Sequence, residues 1–180
     1  MPDPTFKRVS EFTKNPNKLY RKNKFDVTIT GPSDVGTLSS QNGDFIPISF
    51  TTPGQQISTD EKTLWGPVYN MPYSRVFSGD FEMSVYYNPT FHRKIKSWME
   101  TVIPQNERVS YYDAIIGTIN IKVYPQNNPT ASGTSFITLT DVFPITINGL
   151  DLDIGSQNEL QTFSLSFSFR QISTSLPEYE

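Results

Sequence analysis

A run of strict alternation near the C-terminus constrains this chain more than any other feature. In residues 160–169, LQTFSLSFSF, the apolar residues Phe163, Leu165, Phe167 and Phe169 alternate with Thr and Ser. A period of two predicts a β-strand with one apolar and one polar face. Solvent-facing strands usually carry Lys and Glu, whereas this polar face carries only hydroxyl groups. The run therefore predicts a sheet with one buried face and one hydroxyl-lined face.

The same period recurs along most of the chain, between turn residues such as Gly31, Pro32, Pro53 and Gly54. Pro47 removes a backbone donor, so its strand is predicted to lie at an edge or to contain a bulge. The predicted strands cover residues 25–30, 44–52, 75–87, parts of 109–124, 136–140, 145–148, 150–154 and 160–169. Such a series predicts an all-β fold, an antiparallel sandwich or barrel of two packed sheets.

One segment departs from this period and predicts a helix at about residues 89–103. Asn88 can cap it, Pro89 suits the first helical position, and Pro104 ends it. Its apolar residues recur at spacings of four, three and four, which is the pattern of a helix with one buried face. These residues are Phe91, Ile95, Trp98 and Val102.

Length and charge divide the chain into three predicted parts: an extended basic arm (1–24), a single β-sandwich or barrel domain (25–172) and a C-terminal tail (173–180). The arm holds seven basic and two acidic residues, net +5, while the other 156 residues hold 8 basic and 16 acidic residues, net −8. Opposite charges on one chain predict that the arm docks on the acidic body of a neighbouring copy. The candidate docking residues are Lys7, Arg8, Lys14, Lys18, Arg21 and Lys22.

The residues that enzymes and metal sites require are sparse. The chain has no cysteine and a single histidine, His92, which is predicted to lie on the exposed side of the helix with no catalytic partner. Asp151 and Asp153 begin like a calcium loop, but Gly155 and Ser156 break its spacing. There is no phosphate-binding loop and no apolar run long enough for a membrane helix. We therefore predict no catalytic activity, no cofactor, no metal and no membrane insertion.

A segment at residues 55–73 lacks any clean period and is predicted to be a long loop. It carries aromatic residues and a methionine, which protein interfaces favour. Two interpretations remain open: contact with another subunit, or a sugar-stacking platform on a monomeric carbohydrate-binding β-sandwich. The candidate contact residues are Trp65, Tyr69, Met71 and Tyr73.

Two stretches of sequence resemble a known family. The closing run GLDLDIGSQNELQTFSLSFSF resembles the last strand of tail-tube proteins from contractile-tailed bacteriophages, in which a similar Asn-Glu-hydrophobic-Gln-Thr-Phe string occurs. Upstream, GPVYNMPYSRVFSGDFEMSVYYN followed by FHRKIKSWM is similar to the same family's loop, long strand and helix. The resemblance covers roughly residues 66–169.

The resemblance implies a structural virion protein, a tail-tube subunit whose hexameric rings stack into the DNA-conducting inner tube of a contractile tail. Its implied partners are further copies of itself and the sheath, baseplate and tail-terminator proteins. DNA would pass through without specific binding, and the tube would assemble in the host cytoplasm. A ring protein at the baseplate end of the tube is the alternative within the same fold.

In such a ring, part of each subunit faces the lumen. Acidic and neutral polar side chains suit a DNA conduit because they do not hold phosphates, as Lys and Arg would. Residues 55–73 are predicted to contact the adjacent ring. The candidate lumen residues are Asp80, Glu82, Asp151, Asp153, Ser164, Ser166 and Ser168.

Overall fold

The computed structural model describes residues 20–62, 69–104, 111–125, 135–150 and 159–175. These ranges are mostly β-strand, with one long helix, α1, and one helical turn, α2. In chain order the elements are β1 (Tyr20–Thr30), β2 (Thr37–Ser39), β3 (Pro47–Thr51), β4 (Gly54–Lys62), β5 (Tyr69–Ser78), β6 (Phe81–Tyr86), α1 (Pro89–Val102), α2 (Tyr112–Ile115), β7 (Gly117–Pro125), β8 (Ser135–Ile147), β9 (Thr162–Ser168) and β10 (Gln171–Ser175). The prediction of an all-β fold with one main helix is confirmed.

Eight strands pair antiparallel in the order β2-β1-β7-β8-β9-β6-β3, with β10 also paired to β8. The long strand β8 belongs to two sheets. Its first half pairs with β7 and β10, and residues 143–147 pair with β9. We call the four-stranded part formed by the second half of β8, β9, β6 and β3 sheet II, and the part formed by β2, β1, β7, the first half of β8 and β10 sheet I.

Asp141 lies where β8 passes from sheet I to sheet II. Its φ of 55° is in the left-handed region, which Asp tolerates better than most residues. Opposite it, β7 changes register between Gly117 and Thr118, as at a β-bulge. The sequence predicted two strands here, residues 136–140 and 145–148, whereas the bulge lets one strand run through both.

The core is built from the inward faces of both sheets and the apolar face of α1. Phe91, Ile95, Trp98 and Val102 are buried, as the helical spacing predicted. Burial of each such side chain stabilises the fold by roughly 1.5–3 kcal/mol. The indole N–H of Trp98 donates a 2.7 Å hydrogen bond to the backbone carbonyl of Ile115, so the core has no unmet donor at this position.

The ends of α1 follow the sequence signals. The Asn88 side chain accepts a 3.0 Å hydrogen bond from the backbone N–H of Thr90, and Pro89 is the first helical residue. The Asn88 amide also donates to the carbonyl of Asp44, which ties the helix to the segment before β3. No helix within the described ranges is long and apolar enough to span a bilayer.

The segment between β3 and β6 differs from the prediction. Residues 55–73 were predicted to be a loop and residues 75–87 one long strand. Instead, β4 and β5 pair with each other as a separate two-stranded hairpin, and Gly79 and Asp80 separate β5 from β6. A register shift beside Thr59 accommodates Pro72, because a bulge does not require its missing donor.

The chain ends of the described fold extend past the predicted domain limits. β1 begins at Tyr20, so the last residues of the predicted arm start the first strand of sheet I. β10 continues to Ser175, opposite Phe136 of β8. Pro47 is in β3, the outermost strand of sheet II, with a register shift directly after it, so the prediction of an edge and a bulge is confirmed.

Candidate functional site

The outer surface of sheet II carries a polar groove made from all four of its strands. Two rows of paired residues cross the sheet. The first runs from Thr51 through Glu82 and Ser166 to Thr146. The second runs from Ser49 through Ser84 to Ser164, whose carbonyl accepts a 3.0 Å hydrogen bond from Asn148 N–H. We call these eight residues the hydroxyl face.

The hydroxyl face encloses an open groove of about 370 Å³. The side chains of Ser84 and Ser164, on adjacent strands, are 3.1 Å apart at their hydroxyl oxygens. Glu82 is the one charged residue among those lining the groove, and none is Lys or Arg. The surface therefore offers hydrogen-bonding groups and a weak negative charge, and no cation that would hold a phosphate.

The opposite surface of sheet II is apolar and packs on α1. Phe163 and Phe167 alternate with the serines of β9 and are buried, with ring centroids 6.0 Å from Phe91 and 6.1 Å from Trp98, respectively. The helix and the hydroxyl face consequently lie on opposite sides of the same sheet. A molecule that contacts the hydroxyl face therefore does not contact α1.

The predicted lumen residues divide into three groups. Glu82, Ser164 and Ser166 lie together in the groove. Ser168 ends β9 opposite Phe143, outside the groove lining, and Asp80 is exposed in the link between β5 and β6. Asp151 and Asp153 lie outside the described residues.

Five residues of the hydroxyl face were not among the predicted candidates. Ser84 alternates with Glu82 on β6, so the period of two could have included it. The other four belong to β3 and to the end of β8, and only the strand order brings them beside β6 and β9. They are Ser49, Thr51, Thr146 and Asn148.

The predicted contact residues at 55–73 fall on the hairpin formed by β4 and β5. Tyr73 is 81% exposed and Met71 46% exposed. Trp65 and the side chain of Tyr69 lie outside the described residues. At the base of the hairpin, Phe77 packs edge-on against Phe169, with ring centroids 5.1 Å apart. The hairpin thus joins the body at its base and exposes apolar side chains beyond it.

The predicted docking residues of the arm fall on both sides of Tyr20, where the described fold begins. Lys7, Arg8, Lys14 and Lys18 lie outside the described residues. The backbone at Arg21 and Lys22 belongs to β1, and their side chains lie outside the description.

Titratable groups form one notable cluster, on sheet I. Asp26 accepts a 2.6 Å hydrogen bond from the Tyr124 hydroxyl and a 2.7 Å bond from the Gln41 amide. Burial, followed by the hydrogen bond to the Asp26 carboxylate, raises the pKa of Tyr124 to about 12. These bonds join β1, β7 and the turn after β2, so the cluster stabilises the packing of these three segments at one edge of sheet I.

His92 differs from its prediction as an exposed residue. It is half-buried, with its ring 5.7 Å from that of Tyr87 and 5.5 Å from that of Phe163. Its two aromatic neighbours give it a packing role. Within the described ranges, no three His, Asp or Glu side chains come close enough together to hold a metal ion.

Comparisons with known proteins identify one family from the sequence and one shared fold from solved structures. Residues 20–175 match the family model described as phage tail tube protein. A sequence comparison with curated proteins finds no match.

Several solved structures share the fold at low sequence identity. The tube-terminating cap of the anti-feeding prophage is 14% identical, with a TM-score of 0.61 over 87% of this chain and 91% of that one. The PVC sheath/tube terminator of an extracellular contractile injection system is 13% identical, with a TM-score of 0.59 over 83% of this chain and 92% of that one. A chain of the PVC sheath–tube complex is 12% identical, with a TM-score of 0.59 over 91% of this chain and 97% of that one.

Proposed function

The chain belongs to the phage tail tube protein family, and from that premise we propose that it is the tube subunit of a contractile tail, forming stacked hexameric rings that conduct DNA. The observation that carries the proposal is the hydroxyl face of sheet II, a polar surface without cations that spans four strands. In the proposed ring this face lines the lumen. The proposed role is structural, with no catalytic step.

Open strand edges supply the proposed route to ring closure. Among the described residues, no strand pairs with the outer edge of β3, and residues 143–147 of β8 pair only with β9. An exposed edge is a template for pairing with another chain. If β3 of one copy extends the β8 edge of the next, sheet II continues around a closed ring and its edges disappear.

A hydroxyl-lined lumen suits a conduit that must release its cargo. Each Lys or Arg that neutralises a phosphate adds affinity through counterion release, which would slow passage of DNA. The proposed lining offers Ser and Thr hydroxyls with Glu82 instead. It excludes strong phosphate contacts while keeping the wall hydrated.

The hairpin is the proposed contact between rings. Strands of nine and ten residues extend about 30 Å at a rise of 3.3 Å per residue. Met71 and Tyr73, in the half of β5 remote from its base, present apolar surface suited to an adjacent subunit. Trp65 and Tyr69 belong to the same proposed contact by their position in the sequence.

The basic arm is the proposed dock on a neighbouring subunit, through the residues from Lys7 to Lys22 that the charge pattern identified. Each exposed ion pair contributes about 0.2–1 kcal/mol, but a ring repeats every contact. Because β1 begins at Tyr20, deletion of residues 1–19 removes the part of the arm that precedes the described fold, with four of its six candidate docking residues. We expect the truncated body to fold with unchanged stability and to assemble poorly. Normal assembly of the truncated chain would exclude the docking role.

Outer partners follow from the proposed role. Sheath, baseplate and terminator proteins would contact the tube from outside and at its ends, in a virion assembled in the host cytoplasm. The side of sheet II that carries α1 faces outward in this arrangement, because it is opposite the hydroxyl face.

The test is assembly of the purified full-length chain, by sedimentation and negative-stain microscopy. A tube subunit should give rings that stack into long tubes with a central channel. Single rings that do not stack would favour the alternative, a ring protein at the baseplate end of the tube. A 20.5 kDa monomer at all concentrations, with or without the other tail proteins, would contradict both and favour a monomeric binding module.

A further inference from the structure

An apolar groove lies on the other side of sheet II, between the C-terminal half of α1 and the open edge of β8. Its volume is about 460 Å³. Ile103 is 63% exposed and Ile145 42% exposed, which is high for isoleucine. We call this surface the α1–β8 groove; its apolar lining is Met99, Val102, Ile103, Phe143, Pro144 and Ile145.

The base of the hairpin carries exposed apolar side chains of the same kind. Ile57 of β4 is 59% exposed and Val76 of β5 is 48% exposed. Ile57 pairs with Arg75 and Gln56 pairs with Val76, so Ile57 and Arg75 share one face of the hairpin and Val76 lies on the other face. Ile57 and Val76 are both closer to the base of the hairpin than Met71 and Tyr73.

Strand register brings the groove and the hairpin to the same end of sheet II. Phe81 pairs with Phe167, and Phe167 pairs with Pro144 in the groove. The hairpin leaves sheet II at this end, between Thr51 of β3 and Phe81 of β6. When β3 of one copy lies along β8 of the next, the base of its hairpin therefore comes level with the groove.

We propose that the α1–β8 groove receives the Ile57 face of the hairpin base from the adjacent copy in the same ring. This inference rests on the proposed ring and divides the hairpin into two contacts. Its base binds within the ring, and its remote half, with Met71 and Tyr73, binds the next ring.

Charges at the two surfaces are complementary in one orientation. The groove rim carries Glu100 and, one helical turn earlier, Lys96. Arg75, the cross-strand partner of Ile57, is exposed. Neither Arg75 nor Glu100 takes part in an ion pair within the described ranges. Arg75 can approach the Glu100 end of the rim and is repelled from the Lys96 end, which fixes the direction of docking.

Cysteine cross-linking can test this contact directly, because the chain has no native cysteine. We expect the Ile57→Cys/Ile145→Cys variant to form disulfide-linked ladders up to the full ring under mild oxidation. A bond within one chain would leave the protein monomeric on a non-reducing gel, so only bonds between copies can produce the ladder. A mixture of the two single variants should give dimers and nothing larger.

The matched control moves one cysteine along the hairpin. Tyr73 is two residues from Arg75, the cross-strand partner of Ile57, about 7 Å toward the remote half of the hairpin. The Tyr73→Cys/Ile145→Cys variant should not give the ladder. Equal linkage from both positions would mean that the hairpin does not dock in a fixed register and would overturn the proposal.

A charge exchange gives an independent measurement. Glu100→Lys should raise the protein concentration needed for half-maximal ring formation several-fold, and Arg75→Glu combined with Glu100→Lys should restore most of the loss. Absence of rescue, with intact folding by circular dichroism, would contradict the contact between Arg75 and Glu100 on which the orientation depends.

The outcomes separate this inference from the proposed function. Rings or tubes that form without Ile57–Ile145 linkage would overturn the groove contact and leave the tube proposal standing. Linkage of Ile145→Cys to Phe12→Cys instead would assign the groove to the N-terminal arm and overturn the proposal. A chain that forms no ring under any condition would overturn both.

Discussion

The body of the molecule and the hairpin formed by β4 and β5 differ in how far their apolar side chains are buried. In the body, β6 and β9 alternate buried apolar residues with hydroxyl residues, and α1 covers the apolar side. In the hairpin, β4 and β5 pair with each other and leave Ile57, Met71, Tyr73 and Val76 substantially exposed. Exposed apolar side chains grouped on one element indicate surface intended for a partner. The body buries most of its large apolar side chains within one chain, whereas the hairpin would bury its own only against another copy in the proposed assembly.

This comparison predicts that substitutions in the body change folding stability, and that substitutions in the hairpin change assembly alone. The largest expected effect is at Trp98, which is fully buried against Phe167 and donates to the Ile115 carbonyl. Trp98→Ala should lower the free energy of unfolding by about 3–5 kcal/mol. Urea denaturation followed by circular dichroism measures the change, and a loss below about 1 kcal/mol would contradict the assignment of Trp98 to the core.

Close packing around Gly117 gives the next largest effect. A Cβ at this position would clash with the Thr30 carbonyl oxygen and lie 2.7 Å from the Trp98 ring. Gly117→Ala should therefore cost about 1–3 kcal/mol through displaced backbone and ring. Gly149→Ala is the matched control, because nothing lies within 4 Å of a Cβ built there. Equal thermal midpoints for the two variants would show that the contact between β7 and α1 is looser than described.

The cluster on sheet I predicts a smaller, pH-dependent effect. The Tyr124 pKa is raised from 10.0 to about 12 in the folded protein, so the folded state holds its phenolic proton more tightly than the unfolded state. The resulting stabilisation is fully present below pH 10 and is lost as the pH rises through about 12.

Solvent screening keeps this contribution on the order of 1 kcal/mol, because Tyr124 is partly exposed. Tyr124→Phe should remove most of the fall in stability between pH 10 and 12 that the wild-type protein shows. Unfolding curves of both proteins across this range provide the check, and identical pH profiles would exclude the Asp26–Tyr124 bond as its source.

The hairpin should show the smallest effect on folding and a large effect on stacking. Tyr73→Asp and Met71→Asp should change the free energy of unfolding by less than about 0.5 kcal/mol, since both side chains are exposed. Electron microscopy should show single rings in place of tubes. A larger fall in the free energy of unfolding of either variant would show that these side chains pack on their own chain. It would contradict the distinction drawn between the hairpin and the body.

The sequence predicted the parts of the fold that have a buried face. α1 was predictable because Phe91, Ile95, Trp98 and Val102 repeat with the helical period. The serines of β9 were predictable because they alternate with core residues. The contributions of Thr51 and Thr146 to the same surface were not, because pairing between strands distant in the chain is decided by the whole sheet.

The sequence failed where strands lack a buried face or contain an irregularity. β4 carries a single aliphatic residue, Ile57, so it has no period to detect, and its pairing with β5 comes from backbone hydrogen bonds. β8 was predicted as two strands because Asp141 interrupts the apolar pattern. The positive φ of that residue lets the strand continue. Neither feature is visible from local alternation.

The central claim is that the hydroxyl face of sheet II lines the lumen of an assembled tube, and Ser166→Cys tests it most directly. In the monomer this cysteine should react with both a small maleimide and a bulky polyethylene-glycol maleimide. In assembled tubes only the small reagent should still label it, because the bulky one cannot enter the lumen. Arg93→Cys, exposed on α1, should react with both reagents in both states. Labelling of Ser166→Cys by the bulky reagent in intact tubes would place the hydroxyl face outside the lumen and contradict the account.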